Sequence, residues 1–130
     1  MERRFLVIGA VSGAVAVGLG AFGAHALESR LTVDALATFN TASRYHFYHT
    51  LALLAVAAAA GRWPDAPRLV TAGWLMLAGT IVFSGSLYLL AVTGIRWLGA
   101  ITPVGGLLLI AGWLTVAWHA YMTDKSATPR

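Results

Sequence analysis

Leu69–Ile95 reads LVTAGWLMLAGTIVFSGSLYLLAVTGI and holds no Asp, Glu, Lys or Arg. A helix through it rises about 1.5 Å per residue, enough to cross a hydrocarbon core about 30 Å thick. Three more uncharged stretches accompany it: Phe5–Leu27, Tyr45–Gly61 and Trp97–Thr123. Lipid offers no partner for backbone N–H and C=O groups, so each stretch must bond them internally, as a helix does. The fold class read from this pattern is all-α: a polytopic membrane protein, a bundle of four transmembrane helices. Spans are placed at about 5–27, 41–61, 69–92 and 97–120, in one domain over 1–123 with a short cytoplasmic tail at 124–130.

Composition agrees. Hydrophobic residues make up 58% of the 130 and charged residues 11%, against about 25% charged in soluble domains. One soluble core of this size would not cover so much apolar surface. The net charge of +4 is spread over termini and loops, without the continuous patch that nucleic acid requires, so no nucleic-acid partner is expected. Zero cysteines exclude disulfides, thiolate metal sites and redox-active dithiols. The start, Met1-Glu2-Arg3-Arg4 followed by an apolar run and Ala24-His25-Ala26, resembles a secretory leader. Its apolar run exceeds the usual 7–15 residues, so the first span is expected to be retained.

With four crossings, the N-terminus, the loop Arg62–Arg68 and the C-terminus share one side. They carry Arg3, Arg4, Arg62, Arg68, Lys125 and Arg130, and the other side carries Arg30, Arg44 and Arg96. Basic loops resist translocation, so both termini of this multi-pass protein are expected in the cytoplasm.

Small residues crowd the first span at Gly9, Gly13, Gly18, Gly20 and Gly23, and recur at Gly85, Gly105 and Gly106. Such residues let helix backbones approach closely, so these eight are the expected packing positions. Gly9 and Gly13 form a GxxxG pair, with Ala10, Ala14 and Gly18 as a neighbouring stripe. Packing within one bundle is the simpler use, and association with a larger membrane complex or a second copy is the other. Ahead of the second span, Thr32 or Asp34 can cap a helix that begins as an amphipathic lead-in.

Polar residues inside the spans carry the functional signal. At about 1.5 Å per residue from Gly61, His49 lies roughly 18 Å deep and Tyr45 roughly 24 Å; from Leu69, Ser84 lies roughly 22 Å deep and Tyr88 roughly 28 Å. His25 ends the first span, and Thr102 with Pro103 opens the fourth. His25, Tyr45, His49, Ser84, Tyr88 and Thr102 are therefore expected to converge in the outer half of the bilayer.

These stretches resemble a known family. Gly20-Ala21-Phe22-Gly23-Ala24-His25, Tyr45 with His49-Thr50-Leu51, Ser84-Gly85-Ser86-Leu87-Tyr88 and Thr102-Pro103-x-Gly105-Gly106 are similar to signatures of the domain-of-unknown-function 423 family. Its members are small bacterial inner-membrane proteins, related to eukaryotic transmembrane protein 256. The resemblance implies four membrane helices and no established enzymatic activity. His46 and His119 lie outside the matching motifs.

The chemistry is sparse. A His49 bonded to Ser84 or Tyr88 would lock the bundle, because buried polar groups need partners. No cofactor is expected; haem b, held by His25 with His46 or His49, is the alternative. Zinc is disfavoured, since no carboxylate or thiolate joins the histidines. A small transporter is the further alternative, but no acidic residue lies in any span to couple protons. The expected role is a non-enzymatic accessory or lipid-contacting protein. Its polar cluster is either internal glue or a site of lipid or quinone size.

Overall fold

A computed structural model describes residues 2–127 of the chain. The helices are α1 (Glu2–Phe22), prolonged by a π-helical segment (Gly23–Leu27), then α2 (Val33–Arg62), α3 (Pro67–Thr93) and α4 (Leu98–Ala127). No strand occurs among the described residues.

Helix ends fall where the local residues dictate. Thr32, rather than Asp34, caps α2: its Oγ1 accepts the Ala35 N–H at 3.2 Å. Pro67 stands at the start of α3, where its missing N–H costs nothing. Gly94 ends α3 in the left-handed conformation (φ 69°), with its N–H bonded to Leu90 O at 2.8 Å, the geometry glycine adopts without strain. α4 runs on to Ala127, through the first residues of the expected tail. Residues 128–130 lie outside the described residues.

Three segments are long and apolar enough to cross a membrane on length and composition alone: Glu2–Leu27, Pro67–Thr93 and Leu98–Asp124. α2 is more polar, and its place in the bundle explains why that is tolerated. The helices pack in chain order, α1 on α2, α2 on α3 and α3 on α4, so α2 is flanked by protein and turns His46, His49 and Thr50 inward.

Glycine contacts fix its register against α1. β-carbons built on Gly9, Gly13, Gly20 and Gly23 would meet Leu54, Thr50, Ser43 and Phe39 in turn. As the number rises along α1 it falls along α2, so the two helices are antiparallel over their length and α2 crosses wherever α1 does. The α1 seam steps by four or seven residues, one or two helical turns, through Phe5, Gly9, Ala16, Gly23 and Leu27, all buried.

Two apolar clusters close the ends of the bundle. Phe5, Leu53, Val56, Leu69 and Met76 form the larger one. Leu27, Phe39 and Ala91 form the smaller, with Tyr88 against it. Between them lies a polar layer.

Candidate functional site

That layer is a chain of side chains across three helices. Ser12 of α1 lies 2.6 Å from the Thr50 hydroxyl and 3.1 Å from His46 Nε2. On the other edge of the imidazole, His46 Nδ1 lies 3.2 Å from the Tyr88 hydroxyl of α3. Ser43 also hydrogen-bonds Tyr88. One direction of donation satisfies every member. Thr50 is 2% exposed, and among the described residues Ser12 is its side chain's sole partner, so its proton must go to Ser12. Ser12 then donates to His46 Nε2, and His46 Nδ1–H donates to Tyr88. The reverse direction would bury the Thr50 proton without an acceptor, at a cost of about 1–3 kcal/mol. The tautomer assigned by this donor count is neutral imidazole with the proton on Nδ1.

His49 faces the other way. Its Nδ1–H donates to Tyr45 O at 2.7 Å, and its Nε2 accepts the Trp113 indole N–H of α4 at 3.1 Å. The expected bond from His49 to Ser84 or Tyr88 is therefore not made, and His46 is the histidine that reaches Tyr88. The two rings are three residues apart on α2, a step of about 300°, enough to aim one at the α1–α3 side and the other at α4. Both use both nitrogens within the protein.

The six residues expected together are thus distributed over several places. Tyr88 joins the His46 chain and Ser84 stands one turn before it. Tyr45 is 40% exposed, its ring 4.7 Å from that of Phe83. Thr102 pairs with Ser86 at 2.7 Å, bridging α4 to α3 beside Pro103. His25 is exposed in the π-helical segment, without a side-chain hydrogen bond among the described residues. His119, set aside in the sequence, is buried under Trp63, ring centroids 5.6 Å apart, with its Nε2 unpaired among the described residues.

The glycines divide as well. Gly9 and Gly23 lie where a β-carbon would sit 2.7 Å from Leu54 and 2.6 Å from Phe39, and Gly105 abuts the Phe83 backbone. Gly13, Gly20 and Gly106 make looser contacts with Thr50, Ser43 and Phe83. Gly18 and Gly85 pack against nothing, contrary to their expected role. Ala10 and Ala14 stay exposed beside Gly18, so the GxxxG pair is taken up by α2 and its neighbouring stripe is not.

Gly85 opens onto a cavity. Above the His46 chain, α1 and α3 part and leave a groove of about 580 Å³, walled by Val11, Val15, Leu77 and Ile81 and reaching Ser12, His46, Ser84, Gly85 and Tyr88. No charged residue lines it. Ser84 is 2% exposed, and its hydroxyl has no partner among the described residues. Sequence reasoning missed Ser12, Thr50 and Trp113 as members of the polar layer. The signal for Ser12 was present, because no other hydroxyl occurs in Phe5–Leu27 and it lies beside the small-residue seam.

Apolar helices of this length, polar side chains paired between helices and a groove opening sideways define a helical integral membrane protein. The chain belongs to the family described as "Protein of unknown function (DUF423)", which it matches over residues 19–106. It is 48% identical to the UPF0382 membrane protein YwdK of Bacillus subtilis over 114 residues, covering 88% of this chain and 93% of that one. The UPF0382 membrane protein SSP2132 of Staphylococcus saprophyticus is 47% identical, over 86% of this chain and 92% of its own. A UPF0382 membrane protein of Haemophilus influenzae is 40% identical, over 96% and 99%. No solved structure matches the chain.

Proposed function

We propose that this is a non-enzymatic, lipid-contacting protein of the bacterial inner membrane that holds a neutral membrane amphiphile in the groove between α1 and α3. The groove carries the reading. Its volume of about 580 Å³ falls within the roughly 300–1,000 Å³ of small-molecule sites, and apolar walls with a few polar groups are how such sites select a ligand. Water is a poor occupant of walls this apolar. The molecule that fills the groove comes from the surrounding bilayer, entering between the helices.

Absence of enzymatic activity is supported by the paired state of both inward histidines and by the lack of any charged group in the groove. An accessory role in a larger membrane assembly was expected to use the Gly9–Gly13 pair. That pair faces α2, so the lipidic reading is the better supported. Both termini lie in the cytoplasm on this reading, from the six basic residues against three. An Asp65→Cys variant should then label from the cytoplasmic side; labelling from outside would reverse the orientation.

The site itself is tested by thermal unfolding in detergent. Added inner-membrane lipid extract should raise the Tm of the wild-type protein, since a ligand that binds only the folded state stabilises it. Gly85→Leu, which fills the groove from a position with open space around it, should abolish that rise. An equal rise in both proteins would remove the groove as the site.

A further inference from the structure

We infer that the groove is a carbonyl-binding site for a prenylated quinone, whose ring oxygen is held by Ser84 and Tyr88. The inference rests on the groove being a ligand site and specifies what fills it.

Charge comes first. No Asp, Glu, Lys or Arg lines the groove, and an ion brought to this depth without a counter-charge would be strongly disfavoured. The ligand is neutral, which sets aside fatty acids and charged amines.

Depth comes second. Ser84 lies about 22 Å along α3 from Leu69 at the rise of an α-helix, well inside the hydrocarbon region. Phospholipids keep their oxygens at the interface, so an acyl chain in the groove would bring only carbon to Ser84 and leave its hydroxyl unpaired. A ligand that matches this groove carries an oxygen within the hydrocarbon region.

Donor direction comes third. The Thr50–Ser12–His46 chain delivers an N–H to the Tyr88 oxygen, and with Ser43 as a second donor to that oxygen Tyr88 keeps its own proton for the groove. Ser84, one helical turn earlier on the same face, has a buried hydroxyl with no partner. Two donors on one wall of an apolar space, Tyr88 directly and Ser84 by turning out about χ1 from its covered position, suit a carbonyl oxygen, which has two lone pairs. The groove also runs along α1 from Val7 to Leu19, about 18 Å of helix, a channel for a linear run of isoprene units. A ring ketone on a prenyl tail combines neutrality, a deep oxygen and a long apolar tail. The interaction is binding alone, and no electron transfer is assigned.

The test uses the whole protein in phospholipid nanodiscs and two probes: a benzoquinone with a short prenyl tail, and an oxygen-free prenyl hydrocarbon of equal tail length. The quinone should bind the wild-type protein more tightly than the hydrocarbon. Ser84→Ala and Tyr88→Phe should each weaken quinone binding roughly 2- to 10-fold, the worth of one hydrogen bond, without altering hydrocarbon binding. Ser84→Ala should leave the Tm of the ligand-free protein unchanged or raised, because it deletes an unpaired buried hydroxyl; this separates ligand loss from damage to the fold. Equal affinity for both probes, or quinone binding indifferent to Ser84→Ala, overturns the quinone assignment while the groove remains a lipidic site. If neither probe binds wild-type protein better than Gly85→Leu, the groove itself is not a site and both readings fall.

Discussion

Glycine lies along the α3–α4 seam at Gly79, Gly105 and Gly112, and on the wall of the α1–α3 groove at Gly85, with opposite consequences. Along the seam a β-carbon would meet Leu109 at 2.7 Å from Gly79, Met76 at 2.8 Å from Gly112, and the Phe83 backbone from Gly105. At Gly85 it would meet nothing within 4 Å. Lipid gives helices no hydrophobic reason to associate, so closeness of backbones is what holds a seam together. α3 and α4 have that closeness. α1 and α3 touch at the Phe5 end, where Phe5 lies against Gly73 and its ring centroid is 5.5 Å from that of Trp74, and then diverge. The same residue type therefore makes an interface in one place and leaves room in the other. Its meaning depends on what stands opposite.

The largest expected effect breaks the seam. Gly105→Leu should destabilise the protein by about 3 kcal/mol or prevent folding, because the added atoms meet backbone that cannot turn aside. Gly85→Leu should change stability by no more than about 0.5 kcal/mol, as substitutions in open positions usually do. Unfolding in detergent, followed by circular dichroism, measures both; similar losses would mean that the groove is a packed interface.

The polar layer offers a smaller contrast. His46→Phe removes two bonds of the chain that joins α1 to α3 across α2, and should cost about 1–2 kcal/mol. His49→Phe removes the Trp113 bond and should cost about 0.6–1 kcal/mol, the usual worth of one bond between membrane helices. Trp113 is half exposed and loses less when its partner goes. If the His49 substitution proves the more damaging in the same unfolding assay, the layer is organised around the α4 side.

Much of the fold was legible in the sequence, since four uncharged stretches can satisfy their backbone in lipid in few other ways. Position along each helix was legible too, because helical rise is constant. Which way a side chain faces was not. His46 and His49 lie at nearly the same depth, and only the packing of α1, α3 and α4 around α2 decides that His46 meets Tyr88 and His49 meets Trp113. Gly18 and Gly85 looked like packing positions for the same reason: composition records that a residue is small, not whether a helix lies against it. Ser84 stands out in the sequence as a polar residue within an uncharged stretch, but its lack of a partner among the described residues depends on three helices at once.

The account turns on whether the gap between α1 and α3 is an occupied site. Native mass spectrometry of the protein released from its own membranes addresses this directly. The wild-type protein should carry one bound amphiphile that survives mild collisional activation, and Gly85→Leu, equally folded, should carry none. Identical adducts on both proteins, or a wild-type protein released bare, would contradict the account.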